Sequence, residues 1–166
     1  MRLPLVRPQI AAGVFGPPVI TPASWRDFLG VWRLERACFG KDAWPLPDVL
    51  GALTWPGAVR LKADAGGNLV AFAAADDQLA KGQAWITTIG VHPDYRRRGL
   101  AEGLMRECER RLRAARIRLT VRAGNLPALQ LYRKLGYEQV EVWRRYYSGR
   151  EDGVVMEKRG NGTRSE

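Results

Sequence analysis

Apolar and polar positions alternate along this chain with two periods, and the switch between them marks the elements. Residues 1–18 show neither period and are rich in Pro and Gly, which predicts an extended arm. Thr21-Pro22-Ala23-Ser24 supplies capping residues, and Phe28, Val31, Trp32, Leu34, Glu35 and Cys38 then follow at helical spacing. Trp44-Pro45-Leu46-Pro47-Asp48 reads as a turn that opens a short helix toward Leu53. Two strands come next, Val59–Lys62 and Leu69–Ala75, with a turn over Asp64–Asn68 between them. A third strand runs Ala84–Val91, with Trp85 and Ile89 on one face and Ile86 on the other.

The period changes at Gly99. Leu100, Ala101, Leu104, Met105, Cys108, Leu112 and Ala115 form a helical stripe from Gly99 to Ala115. Glu102–Arg106, Glu107–Arg111 and Glu109–Arg113 are spaced as (i, i+4) pairs with the acid first, the favoured order. Ile117–Arg122 alternates strictly and predicts a strand. Asn125 caps a second helix with Pro127 in its first turn. Ala128, Leu131, Tyr132 and Leu135 line its face, and Gly136 ends it. Val140–Tyr147 and Val154–Lys158 make a terminal hairpin around Ser148–Gly153, followed by a polar tail. The strand–helix–strand segment Ala84–Val121 requires two parallel neighbours. The expectation is an α+β single domain over 19–159, between the arm and a tail at 160–166. Its sheet is mixed but mostly antiparallel, flanked by about four helices.

Composition narrows the function. A chain of 166 residues with 46% hydrophobic and 27% charged residues suits one ordinary globular domain. No apolar run reaches the ~18 residues of a membrane span. The N-terminus is broken by prolines and lacks a small-residue cleavage site, so no signal peptide is read. The two cysteines, Cys38 and Cys108, are too few for a disulfide framework and read as small buried hydrophobes in a reducing cytoplasm. A single histidine, His92, excludes a His-rich metal site and reads as a surface loop residue. The net charge is +10, and residues 96–166 hold 18 Lys+Arg against 9 Asp+Glu. This excess points either to an anionic partner docking in the second half (nucleic acid, an acidic protein surface or a phosphate-rich cofactor) or to a basic solvated helix face, and charge alone does not choose.

The segment Val91-His92-Pro93-Asp94-Tyr95-Arg96-Arg97-Arg98-Gly99-Leu100-Ala101 chooses among these. A strand ends, a loop turns, and a helix starts behind three arginines. Helix N-termini present unpaired N–H groups and the positive end of the dipole, which suits phosphate. Neither a Walker A lysine nor a second early glycine of the dinucleotide fingerprint is present.

Here the chain resembles the GNAT superfamily of acetyl-CoA-dependent N-acetyltransferases. Arg96-x-x-Gly99-x-Ala101 fits its Q/R-x-x-G-x-G/A motif. Asn125 and Leu131-Tyr132-x-x-Leu135-Gly136-Tyr137 look like its second hallmark. Within it, Val121–Asn125, Tyr146-Tyr147, Gly149–Asp152 and the turn Trp44-Pro45-Leu46 are similar to the ribosomal-protein-alanine N-acetyltransferase group. Two positions depart from that group: Thr120 stands where its general-base glutamate belongs, and Arg145 where an Asn precedes the Tyr pair.

The resemblance implies roles. Ile89, Gly90 and Val91 would pair with the pantetheine arm of acetyl-CoA. Arg96, Arg97, Arg98, Gly99, Leu100, Ala101 and Glu102 would surround its pyrophosphate, and Asn125 would touch it while capping its helix. Tyr132 would give a proton to the departing thiolate. Trp44, Leu46, Tyr146 and Tyr147 would wall a slot for the acceptor, and no metal is implied. The missing carboxylate favours a low-pKa acceptor, since α-amines titrate near ~7.7–8.0 and lysine near ~10.4. That points to a protein or peptide N-terminus, a ribosomal protein among the candidates, with Glu35, Glu138 and Glu141 as distant proton relays. A small-molecule amine acetyltransferase and a non-catalytic basic RNA- or ribosome-binding module remain as other readings. The basic residues lack the interleaved aromatics of a base-stacking platform, so no direct nucleic-acid contact is expected.

Overall fold

Among the described residues the strands join in one seven-stranded sheet of order β1-β2-β3-β4-β5-β7-β6. A computed structural model describes residues 18–160 and residue 162. The strands are β1 Val19–Pro22, β2 Val59–Ala65, β3 Asn68–Gln78, β4 Gln83–Val91, β5 Arg116–Arg122, β6 Glu138–Tyr147 and β7 Glu151–Arg159. The α-helices are α1 Phe28–Phe39, α2 Leu46–Thr54, α3 Leu100–Arg111 and α4 Leu126–Lys134. Only β4 and β5 run parallel, as the crossover requires; every other pairing is antiparallel. The expected arm and tail lie outside the described residues, apart from residues 18, 160 and 162.

Helices cover the two faces unequally. On one face, Val31 and Leu34 of α1 and Val49 and Leu53 of α2 pack on Phe72 and Ala74 of β3. On the other, Leu100, Leu104 and Cys108 of α3 pack on Leu61, Ala63, Ala71 and Ala73. Met105 of α3 joins Leu129, Tyr132 and Leu135 of α4 over Ile117, Leu119 and Val121 of β5. Each fully buried aliphatic side chain contributes about 1.5–3 kcal/mol, so α3 is fixed by its stripe rather than by helix propensity.

Several expectations are corrected. Thr21 and Pro22, expected as capping residues, end strand β1 instead, because four residues with a terminal Pro carry too little alternation to register. Ser24 does cap, but for a 3₁₀ turn over Trp25–Asp27, in a capping box with Asp27. α3 stops at Arg111, four residues before Ala115: Leu112 turns to an extended ψ of 140° and stays buried as loop. Arg113 is thereby off the helix and its N–H donates to Asp77 (3.0 Å). Glu109 pairs instead with Lys158 of β7 (2.7 Å). On α4, Leu129 is buried while Ala128 and Leu131 are half-buried. The strands β2 and β3 close to a two-residue turn at Gly66-Gly67, so Asp64, Ala65 and Asn68 are strand residues. β7 likewise starts earlier, at Glu151, and the hairpin runs further outward, to Glu138 of β6 and Arg159 of β7, than the apolar positions mark.

The correction that matters most lies inside β4. Thr88 opposes Ala74 and Ile86 opposes Ala75, so Thr87 is an extra residue, and its hydroxyl donates to the Ala74 carbonyl (3.1 Å). Such a bulge shifts the side-chain alternation by one. Ile86 and Ile89 therefore pack in the same core cluster instead of on opposite faces. The bulge also ends the parallel pairing: β4 meets β5 only over Gln83–Ile86, against Arg116–Leu119. Beyond it the two strands diverge.

Candidate active site

The divergence opens a cavity of about 190 Å³ through the sheet. Thr87, Thr88 and Ile89 of β4 form one wall, and Thr120, Val121 and Arg122 of β5 the other. Asn125 and Tyr132 close it on the α3/α4 side. Glu35, Phe39, Asp42, Trp44 and Tyr147 line it on the α1/α2 side. Residues from both faces of the sheet thus border the same space.

On the α3/α4 side the open edge of β4 is a backbone template. The bond from His92 N–H to the Val70 carbonyl (2.8 Å) sets the antiparallel alternation. Gly90 therefore pairs its groups with Phe72, while Ile89 and Val91 turn theirs toward the gap. The Val91 carbonyl already accepts from Cys38 Sγ (3.3 Å) and Arg96 Nε (3.2 Å). Gly90 serves another purpose: a Cβ there would stand 3.3 Å from Cys38 Sγ and 3.5 Å from the Phe39 ring, so its lack of a side chain lets α1 close on the strand. Cys38 is accordingly half-buried and hydrogen-bonded rather than a core hydrophobe. Cys108 is the inert one, its thiol pushed up to about 12 by burial.

The strand leads into α3 through a strained turn. Arg97 has φ 62° and Gly99, the N-cap, φ 76°. The first helical bond runs from Gly103 N–H to the Gly99 carbonyl (2.9 Å), which leaves the N–H groups of Leu100, Ala101 and Glu102 at the open end. Arg98 folds over the Tyr95 ring (4.9 Å) and donates to the Asp94 carbonyl. Among the described residues Arg97 has no ion-pair partner, whereas Glu102 is held by Arg106 (2.9 Å) and Lys134 (2.7 Å). These features fit a pyrophosphate: backbone donors, a glycine with nothing within 4 Å of an added Cβ, and exposed guanidinium groups. Gly99→Asp is expected to weaken acetyl-CoA binding roughly 10–100-fold, by forcing a side chain into φ 76° and setting a carboxylate before the dipole. Calorimetry checks it; unchanged affinity removes the phosphate from this turn.

On the α1/α2 side, a charge cluster braces the walls. Arg122 pairs with Asp42, next to α2, and with Glu151 of β7 (2.7 Å). Its guanidinium lies 4.4 Å from the centre of the Tyr147 ring. Glu151 also accepts from Gly124 N–H (2.9 Å), and these bonds hold its carboxyl below the usual range. Tyr147 donates its hydroxyl to the Thr120 carbonyl (3.1 Å), and burial pushes the phenol up to about 12. Gly153 lies under this wall: a Cβ there would come within 2.9 Å of the Thr120 methyl and 3.1 Å of Tyr146 Cβ. Tyr132, buried on α4, has its phenol pushed well above the ordinary value by desolvation, so it keeps its proton at neutral pH.

Comparison with known proteins agrees with this geometry. The model of the "Acetyltransferase (GNAT) family" matches residues 28–137. The chain belongs to the GNAT acetyltransferase family. A relative is the N-terminal acetyltransferase B complex catalytic subunit NAA20 of Arabidopsis thaliana, 42% identical over 85 residues, which are 47% of this chain and 49% of that protein. Another is the N-alpha-acetyltransferase RimI of Mycobacterium tuberculosis, 36% identical over 119 residues, 69% of this chain and 75% of that protein. The chain thus spans about half the length of the plant relative. The crystal structure of the ribosomal-protein-S18-alanine N-acetyltransferase from Escherichia coli superposes with a TM-score of 0.80 at 25% identity, over 90% of this chain and 98% of that one.

The GNAT frame brings many of the sequence-predicted residues together. Ile89, Asn125, Tyr132, Trp44 and Tyr147 all line the cavity, and Asn125 also caps α4 by accepting from Ala128 N–H (3.3 Å). Leu46 and Tyr146 do not line it. Leu46 is exposed in the first turn of α2, and Tyr146 packs against Trp143, their rings 5.0 Å apart. Of the three proposed relays only Glu35 reaches the cavity; Glu138 and Glu141 are exposed on the edge strand β6. Sequence reasoning missed Phe39, Asp42, Thr87, Thr88 and Gly153 as site residues. The Asp42–Arg122–Glu151 cluster joins segments 80 and 29 residues apart, a pairing no local pattern announces. Among the described residues no group of three or more His, Cys, Asp or Glu is placed to hold a metal, and no helix is long and apolar enough to cross a membrane.

Proposed function

We propose that this chain moves the acetyl group of acetyl-CoA onto the α-amine of a protein or peptide N-terminus. The observation that supports it best is a cavity lined from both faces of the sheet, with a phosphate-suited turn on one side and an aromatic, carboxylate-bearing lining on the other. Acetyl-CoA, when bound, supplies the acetyl group as a thioester: a C–N bond forms as the C–S bond breaks. The groups of Ile89 and Val91 would align the cosubstrate's arm, and the turn at Arg96–Glu102 would hold its phosphates. Tyr132 would hand its phenolic proton to the departing sulfur: burial keeps the phenol protonated, and the same desolvation disfavours a thiolate. Trp44 and Tyr147 would flank the acceptor.

The related proteins named above are N-terminal acetyltransferases by their names, which supports an α-amine acceptor; the Escherichia coli structure's name makes a ribosomal protein a candidate. A cytoplasmic setting suits two free cysteines. At pH 7 about a tenth of an α-amine is free base, against less than a thousandth of a lysine. Peptides with a free Ala N-terminus are expected to outpace N-blocked peptides carrying lysine by at least tenfold at pH 7. The gap narrows toward pH 10. Initial rates across that range check it, and preference for lysine or a small polyamine at pH 7 overturns the acceptor class.

A further inference from the structure

An acceptor that arrives as an ammonium must lose a proton before its nitrogen can attack. Position 120, on the acceptor face of β5, is a threonine. Two carboxylates line the cavity, and one of them, Asp42, is held by Arg122. The other is Glu35, in the last turns of α1.

Glu35 is an unusual residue for its place. It is 3% exposed, one of two polar residues fully buried in the described chain; the other is Thr88, its partner. The Thr88 hydroxyl donates to Glu35 Oε1 (2.9 Å), and Trp44 N–H approaches Oε2 at 3.5 Å. No cation is paired with it among the described residues. Thr88 faces α1 only because the bulge at Thr87 turns it there. A helix needing nothing but packing would carry an apolar residue at this position, since burying a carboxylate is unfavourable. Structural need does not explain the acid, and the cavity does.

We infer that Glu35 takes the proton of the acceptor amine, replacing from α1 the carboxylate that β5 lacks. The inference rests on the acetyl-transfer reading above. In the step, an N–H bond of the ammonium breaks and an O–H bond forms on Glu35, leaving a neutral amine beside a neutral acid; the proton then passes to water through the open mouth. Desolvation drives this transfer. Burial raises the Glu35 carboxyl above its ordinary value, outweighing the lowering by Thr88 and Trp44, and the same enclosure lowers an amine. The two values converge, which is the condition for efficient proton transfer. The charged or titratable groups around it are Cys38 on its own helix, Asp42 beyond α1, Arg122 on β5, Tyr132 on α4 and Tyr147 on β6. Arg122 is engaged by two carboxylates, and the phenols and thiol are neutral near pH 7.

The test is the pH dependence of kcat/KM for an Ala-terminated peptide between pH 5 and 9. Glu35→Gln is expected to lose about 10²-fold at pH 7 with acetyl-CoA affinity unchanged. Its remaining rate should simply follow the free-amine fraction of the peptide. Adding Thr120→Glu to Glu35→Gln is expected to restore at least a tenfold part of that loss, a rescue that a packing role would not give. Thr88→Val, which removes a donor to the carboxylate, is expected to shift the acid limb of the profile upward. Stability follows with a definite sign: the raised carboxyl binds its proton more tightly folded than unfolded, so wild type loses stability as pH rises through the folded value. Glu35→Gln escapes that loss, and its melting temperature gains on wild type as pH rises above the ordinary glutamate range. A Gln variant within about twofold of wild type and with the same profile overturns the inference. Should that variant not fold, an unmoved acid limb in Thr88→Val overturns it. Wild type inactive on every amine overturns the acetyl-transfer reading and this inference together; active wild type with unaltered variants overturns this inference alone.

Discussion

Tyr132→Phe is expected to lower the maximum rate about 10²-fold while leaving acetyl-CoA affinity and melting temperature close to wild type. The ring of Tyr132 is 6% exposed and meets Tyr137 edge-on at 6.1 Å, within the cluster that joins α4 to β5. Phe keeps that packing. What it removes is the hydroxyl of a residue that lines the cavity, and burial keeps that phenol protonated at neutral pH. A phenol held in its protonated form suits the proposed role of donor rather than that of a base. Thiol release measures the rate, and calorimetry and thermal melts supply the controls. Near-normal turnover would assign the phenol to packing alone.

Leu104→Ala is expected to cost about 2–5 kcal/mol, or a fall of roughly 5–15 °C in melting temperature. Leu104 is 0% exposed and sits where α3 crosses β2 and β3. Its neighbours are mostly alanines and valines, namely Ala63, Val70, Ala71 and Ala73, whose short side chains have little reach to refill the space. The loss should fall on stability first. Leu100 and Tyr95 remain to hold the turn before α3, so acetyl-CoA affinity well below the melting transition should change by less than tenfold. Denaturant melts and calorimetry separate the two effects; a variant as stable as wild type would mean the core collapses around the gap.

These effects also show what the amino-acid pattern could carry. Strict alternation at Ile117–Arg122 and the helical stripe of α3 are local signals, written in neighbouring residues, and both elements form there, although α3 ends four residues short of the stripe. Tyr132 and Asn125 were legible through a motif rather than through periodicity, because an apolar helix face gives a tyrosine no special mark. Three kinds of information were not local. The bulge at Thr87 leaves no mark in the run Trp85-Ile86-Thr87-Thr88-Ile89, whose five residues all suit a strand. The end of α3 at Arg111 is decided by where Leu112 and Ala114 find burial, not by a breaker residue. Glu35 reads as one acid on an amphipathic helix until Thr88, 53 residues away, is seen to face it.

One residue in β4 deserves a count rather than a name. Because alternate side chains point to opposite faces, the strand's parity before and after Thr87 differs by a single position. A chain one residue shorter there would continue β4 in register alongside β5, seal the seam, and return Thr88 to the other face, away from Glu35. It would be a tidier sheet with nowhere for the proposed acceptor to meet acetyl-CoA. The Thr87 side chain is itself exposed, so exchange for another residue is a small change and deletion a complete one. At this point the fold tolerates variation in spelling but not in length.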